Sequence, residues 1–295
     1  MKVPQQMRRW EDQLPAEQKR RMRKGMYILP SLFTALNIGA GYYAITETVR
    51  ATAADWWRFD HAALAIGFAV FFDGLDGRIA RMTGTTSDFG REFDSLADVI
   101  TFGVAPALLA WMWGFRWLSL VGPAALNERL VQLGIIATFL FVVAGASRLA
   151  RFNIQANPQP SNPGRPGRKY FVGLPIPAAA AVLAASIHLL DGRPIQTWWM
   201  GAVWLGLLIF AAMLMVSTWR FYSFKDLNLH NRHPFQVFLL ICAVLGLLTF
   251  FSGPVLFVVS LTYMFSGVVT RLASLFRRRP SEPDHPVYEE APQPR

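Results

Sequence analysis

The chain has 295 residues, of which 53% are hydrophobic and only 16% charged, and its net charge is +10. A soluble domain carries about a quarter charged residues, and here the apolar ones are clustered: Met26–Thr46, Leu130–Ser147, Pro194–Trp219 and Pro234–Thr270 contain no Asp, Glu, Lys or Arg. A soluble enzyme and a disordered chain are excluded, and a single cysteine, Cys242, excludes a disulfide scaffold.

Runs of roughly 20 apolar residues are what a hydrocarbon core about 30 Å thick requires. The sequence therefore reads as an all-α polytopic membrane protein of about eight transmembrane helices. In chain order these are Met26–Thr46, Ala62–Arg81, Asp94–Phe115, Leu130–Phe152, Phe171–Leu190, Trp198–Trp219, Phe235–Phe251 and Val255–Leu272. The last two come from one uncharged stretch that would be about 55 Å long as a single helix. Ser252-Gly253-Pro254 interrupts it near the middle, which predicts a helical hairpin. Residues 26–272 thus form the transmembrane domain. Residues 1–25 are a basic segment, suited either to lie on anionic headgroups or to be a solvated flank. Residues 273–295 form a tail expected to be disordered, since Pro280–Arg295 holds five prolines and four acids.

The basic residues divide unequally between the two sides of these spans. Twenty-four of the 29 Lys and Arg fall on the side of the termini, leaving Arg50, Arg58, Arg116, Arg129 and Arg193 opposite. The positive-inside rule then puts both termini in the cytoplasm. The positive charge is explained by topology, with no nucleic-acid partner.

The chemistry concentrates between Asp73 and Asp98. An intramembrane carboxylate costs about 2.5–3.5 kcal/mol on insertion scales, so each is a functional candidate. Asp73 and Asp76 are spaced i,i+3, and Asp94 and Asp98 i,i+4, so each pair shares a helix face. Both pairs sit at the cytoplasmic ends of consecutive predicted helices joined by about a dozen residues, and the two faces can converge. At an effective dielectric of about 20, each pair of close carboxylates repels by about 2–4 kcal/mol. Protons or divalent cations must neutralise such a cluster. An all-oxygen donor set favours Mg²⁺, Mn²⁺ or Ca²⁺ over zinc, and paired hard cations suit phosphoryl or phosphatidyl displacement. Gly77 and Ala80 fall on the face of Asp73 and Asp76 and leave room for a ligand against the backbone. Arg81, one turn beyond Gly77, has the fork that meets a phosphate.

Asp73-x-x-Asp76-Gly77-x-x-Ala80-Arg81, eight residues, then Gly90-x-x-x-Asp94-x-x-x-Asp98 resembles the signature of the CDP-alcohol phosphatidyltransferase family at all eight fixed positions. Further stretches resemble the serine-using branch of that family: Phe93–Asp98 with Phe102-Gly103-Val104-Ala105-Pro106, Arg148-Leu149-Ala150-Arg151-Phe152-Asn153, Gly173–Ala178, and Leu214–Leu227 with Tyr222-Ser223-Phe224-Lys225-Asp226. The resemblance covers roughly residues 26–270. It implies a core of six transmembrane helices plus two, often as a homodimer, in a bacterial inner membrane with the active site open to the cytoplasm. It also implies that Asp73, Asp76 and Asp94 hold two divalent ions, Mg²⁺ or Mn²⁺. Asp98 would be the general base and a further metal ligand, while Asp73, Gly77, Ala80 and Arg81 contact CDP-diacylglycerol. The implied reaction is attack of the L-serine hydroxyl on CDP-diacylglycerol, giving phosphatidylserine and CMP.

Other signals are weaker. Arg148 and Arg151, i,i+3 at a cytoplasmic helix end, are either topology arginines or a site for the serine carboxylate or a phosphate, with Lys225 the next candidate. Asn37 is either a ligand contact or an interhelical hydrogen bond. The five histidines are scattered, and Asp88-Phe89-Gly90 has no kinase-like partner motif. A cation transporter would also bury carboxylates, but no second half pairs with the acidic helices as an inverted repeat would. Within the family, glycerol 3-phosphate, inositol phosphate or choline are the alternative acceptors.

Overall fold

The computed structural model describes residues 16–83, 88–118, 124–156, 170–222 and 234–276, with side chains for 32–74, 89–118, 124–154, 171–221 and 246–273. The basic segment before residue 16 and the tail beyond residue 276 lie outside the described residues. The chain is mostly helical: α1 Ala16–Arg50, α2 Trp57–Thr83, α3 Asp88–Asp98, a π-helical stretch Val99–Val104, α4 Ala105–Gly114, α5 Ala124–Ala156, α6 Ile176–Leu189, α7 Trp198–Val216 and α8 Pro234–Phe276. Among the described residues, four helical stretches are long and apolar enough to cross a membrane: Phe89–Gly114, Ala124–Ile154, Trp198–Val216 and Gly246–Ala273. Leu133, Ile135, Ile136, Phe139 and Leu140 of α5 are exposed. An apolar face of that extent suits lipid, where water would penalise it.

Small residues set how closely the helices approach. Ala62, Ala63 and Ala69 of α2 are buried, as are Ala179, Ala180, Ala184 and Ala185 of α6. Backbones come close where side chains are small, which is how helices associate when lipid offers no hydrophobic drive. Larger groups fill the space between α4 and α7, where the Trp113 and Trp204 rings meet edge to face at 4.9 Å. The Trp204 indole donates to the Ala110 carbonyl at 3.1 Å, which satisfies its N–H in the core.

Several elements depart from the sequence reading. Residues 88–114 run as α3, a π turn and α4 rather than as one regular helix from Asp94. Pro106 stands at the start of α4 and cannot donate to the preceding turn; the widened π turn ahead of it absorbs the missing bond. The segment expected as Phe171–Leu190 becomes helical only at Ile176, because Pro175 and Pro177 resist an earlier start. Before it, β1 (Tyr170–Val172) pairs antiparallel with β2 (Arg220–Tyr222), so the all-α expectation gains a small ribbon. Both strands are rich in aromatic residues, which favour extended backbone. Gly173 follows β1 at φ 78°, and a side chain there would meet the Met215 and Ser217 carbonyl oxygens, so the turn needs glycine. α8 is broken at Phe251 (φ −138°, ψ 39°), one residue before the expected Ser252-Gly253-Pro254 break. Its second part starts beside Leu189 at the end of α6 and reaches the ribbon, where the Thr270 hydroxyl donates to the Arg220 carbonyl at 3.1 Å. It therefore runs antiparallel to α6.

The end of the bundle away from the ribbon is held by polar contacts. Glu47, 5% exposed, accepts from Arg58 Nη1 at 2.8 Å and from Arg50 Nη1 at 3.4 Å. His188 of α6 links Asp60 of α2 through Nδ1 at 2.5 Å and Ser252 of α8 through Nε2 at 2.8 Å. One imidazole thus ties three helices. Polar contacts between membrane helices average about 0.6 kcal/mol and reach about 1.7. His188→Ala should therefore lower stability by about 1–2 kcal/mol, read as a drop of a few degrees in Tm in detergent. An unchanged Tm would show that these contacts contribute nothing.

Candidate active site

At the other end of α2, Asp73 meets Asp94 and Asp98 of α3. One carboxylate oxygen from each lies within 4.8 Å of the others. The i,i+4 spacing of Asp94 and Asp98 puts both on the α3 face turned toward α2. Asp98 is 8% exposed and is the last residue before the π turn. The α1 helix braces it from behind. Asn37, fully buried, donates through Nδ2 to Asp98 Oδ1 at 3.5 Å, and the Thr101 hydroxyl donates to the Asn37 carbonyl at 3.1 Å. Asn37 is therefore an interhelical hydrogen bond to an acidic residue, the second of its two readings. Gly41, one turn on, allows the approach, since a Cβ there would come within 2.9 Å of the Thr101 Cα. Asn153 Nδ2 of α5 donates to the Ser95 hydroxyl of α3 at 3.0 Å.

The three acids open into a cavity of about 1020 Å³ between α2, α6 and α8. Its wall is polar at the cluster and apolar beyond, passing Gly67, Val70, Ala178 and Ala181 toward His188 at the far end. Arg148 lines the cavity beside the acids and faces Asp98, Asp73 and the Tyr263 hydroxyl electrostatically. It is 8% exposed, and among the described residues its Nε has no hydrogen-bond partner.

Arg151 is placed differently. Its guanidinium donates to the carbonyls of Val216 at 3.2 Å, Val172 at 3.3 Å and Ser217 at 3.4 Å. It satisfies carbonyls left open at the C-terminal end of α7 and fixes the ribbon to α5. Arg148 and Arg151 are one turn apart, yet only Arg148 borders the cavity. Asp76, Gly77, Ala80 and Arg81 belong to the last turns of α2, but their side chains lie outside the described residues, as does Lys225. Tyr263 and Ser266 of α8 also border the cavity. They lie inside an uncharged run and carried no sequence signal.

The donor set fits a metal ion. Three carboxylates converge, and among the described residues Asp94 Oδ1 is buried without a hydrogen-bond partner. An acceptor in that position needs a proton donor or a cation. A hard divalent cation takes oxygen ligands of this kind.

Residues 27–207 match the family model described as CDP-alcohol phosphatidyltransferase. The CDP-diacylglycerol–serine O-phosphatidyltransferase of Helicobacter pylori strain J99 is 34% identical over 250 residues, 83% of this chain and 91% of that protein. The protein of the same name from Methanocaldococcus jannaschii is 35% identical over 179 residues, covering 61% of this chain and 68% of that one. The archaetidylserine synthase of Methanothermobacter thermautotrophicus is 36% identical over 162 residues, 53% and 56% of the two chains. The match spans the helices that carry Asp73, Asp94, Asp98 and Arg148, and with it the chain belongs to the CDP-alcohol phosphatidyltransferase family of membrane enzymes.

Proposed function

We propose that the protein transfers the phosphatidyl group of CDP-diacylglycerol to the hydroxyl of L-serine, giving phosphatidylserine and CMP. The observation that carries this reading is the convergence of Asp73, Asp94 and Asp98 at the polar mouth of a cavity that turns apolar beyond them. A nucleotide lipid has the same division, and the relatives' names supply serine as the acceptor.

In this scheme Asp98 takes the proton of the serine hydroxyl as its oxygen bonds to the phosphatidyl phosphorus. The bond from that phosphorus to the bridging oxygen breaks, and CMP departs with the electron pair. Asp98 suits the role because it is buried, braced by Asn37 and within reach of the other acids; a positioned base contributes about 10²–10⁴-fold. Asp73, Asp76, Asp94 and Asp98 would hold two divalent ions, Mg²⁺ or Mn²⁺, which when bound offset the negative charge of the diphosphate. Gly77, Ala80 and Arg81 would contact the CDP part. Arg148 would receive the serine carboxylate, since among the described residues it is the cation beside Asp98 in the cavity. The enzyme would act as a homodimer in a bacterial inner membrane.

The site would face the cytoplasm. Arg148, Arg151, Arg220 and Arg271 lie toward the end with the acids and the ribbon, and Arg50, Arg58 and Arg193 toward the other. That distribution agrees with the positive-inside count. Single cysteines placed near Arg8, Lys169 and Arg279 should accept a membrane-impermeant label only after cells are opened. Labelling of any of the three in sealed cells would reverse the orientation.

The reaction itself is tested by incubating the purified protein with CDP-diacylglycerol, Mg²⁺ or Mn²⁺, and a panel of L-serine, glycerol 3-phosphate, inositol phosphate and choline. CMP release with serine, accompanied by phosphatidylserine, is expected. Release with another alcohol alone would keep the chemistry and replace the acceptor.

A further inference from the structure

The cavity at the cluster has two walls of different origin. Asp73, Asp94, Asp98 and Arg148 lie within residues 27–207, the part matched by the family model. The facing wall, with Tyr263 and Ser266, comes from α8 and lies beyond that match. Family members share the displacement chemistry, so groups that choose the acceptor must differ from the shared motif. α8 supplies such groups opposite Arg148.

Their placement is built rather than incidental. Tyr263 and Ser266 are i,i+3 and both border the cavity. The Tyr263 ring sits against Phe221 of β2 at 6.1 Å, and Thr270 bonds the same strand through the Arg220 carbonyl. Arg151 in turn holds the β1 partner strand through Val172. The α8 wall is therefore tied to α5, which carries Arg148. Arg148 itself is more than nine-tenths buried, borders the same cavity as Tyr263, and among the described residues its Nε has no hydrogen-bond partner.

The hydrogen-bonding capacities are complementary to a zwitterion. A guanidinium offers only donors, and a phenol offers one more, which together suit a carboxylate. Ser266 spends its proton on the Tyr263 carbonyl at 2.6 Å, which leaves its oxygen lone pairs as acceptors for an ammonium group. We infer that Arg148, Tyr263 and Ser266 form the acceptor subsite. Arg148 and Tyr263 take the carboxylate, Ser266 takes the ammonium, and α8 is the specificity element. This rests on the serine reading above and extends it to residues outside the shared motif.

The test uses the full-length enzyme in detergent–lipid micelles with CDP-diacylglycerol and three acceptors: L-serine, ethanolamine, which lacks the carboxylate, and 3-hydroxypropionate, which lacks the ammonium. Tyr263→Phe should raise the KM for serine about tenfold or more and leave the KM for CDP-diacylglycerol within twofold. It should also narrow the preference for serine over ethanolamine. Ser266→Ala should narrow the preference for serine over 3-hydroxypropionate. An unchanged serine KM in both variants, or an equal rise for CDP-diacylglycerol, would overturn the subsite. If the wild type prefers a different acceptor, the serine reading fails by itself. The α8 proposal then stands only if Tyr263→Phe raises the KM of that acceptor, and it falls if that KM is unmoved.

Discussion

Asp98→Asn should lower turnover by about 10²–10⁴-fold while CDP-diacylglycerol binding largely survives. The amide keeps the shape of the carboxylate and one carbonyl ligand, and Asn37 can still bridge to it across the α1–α3 contact. What it loses is the capacity to accept the acceptor's proton. Asp73→Asn should behave differently, because Asp73 comes from α2, the helix that also carries Asp76, Gly77, Ala80 and Arg81. There the expected result is weaker metal-dependent binding of the nucleotide lipid, seen as a raised KM and a higher Mg²⁺ or Mn²⁺ requirement. Single-turnover kinetics with binding measured separately distinguishes the two. Should Asp98→Asn lose nucleotide affinity as badly as Asp73→Asn, Asp98 is chiefly a metal ligand and the base lies elsewhere.

Arg148→Lys should raise the serine KM about tenfold to a hundredfold, much more than the KM for CDP-diacylglycerol. A hydrogen bond to a charged group is worth about 1.5–3 kcal/mol, and lysine retains the charge without the fork that grips a carboxylate at two points. The site is closed enough for this to count, since Arg148 is 8% exposed. Arg151→Lys is the control with a different signature. Its three backbone carbonyl partners place its loss on the stability of the ribbon and on both substrates alike. A rise in both KM values for Arg148→Lys would assign that arginine to the phosphates instead.

The acids were legible in the sequence because their spacing is a statement about helix faces. Asp94 and Asp98 at i,i+4 must point the same way, and a short connection from Asp73 brings the faces together. Arg148 and Arg151 could not be separated in that way. At i,i+3 they share a face approximately, and which one meets the cavity depends on the turn after α7 and on Gly173, whose carbonyl neighbours engage Arg151. The ribbon was hidden because three residues per strand show no period. The π turn was hidden because only its hydrogen bonding differs from that of an α-helix. Pro175 and Pro177, in contrast, stood in the sequence, and the expected span Phe171–Leu190 ran through them although they resist a helix start before Ile176. Tyr263 and Ser266 were illegible for another reason: within 37 uncharged residues, nothing but tertiary structure shows which face of α8 meets Arg148.

If the converging aspartates hold divalent metal for the displacement of CMP, turnover depends on free cation. The most direct measurement is CMP release from CDP-diacylglycerol and serine by the purified enzyme in excess EDTA, followed by titration of Mg²⁺ or Mn²⁺ back above the chelator. Release should fall to background and return with the cation, and a variant carrying Asp73→Asn should need more cation to recover. Full turnover in excess EDTA would show that the aspartates act without a divalent cation.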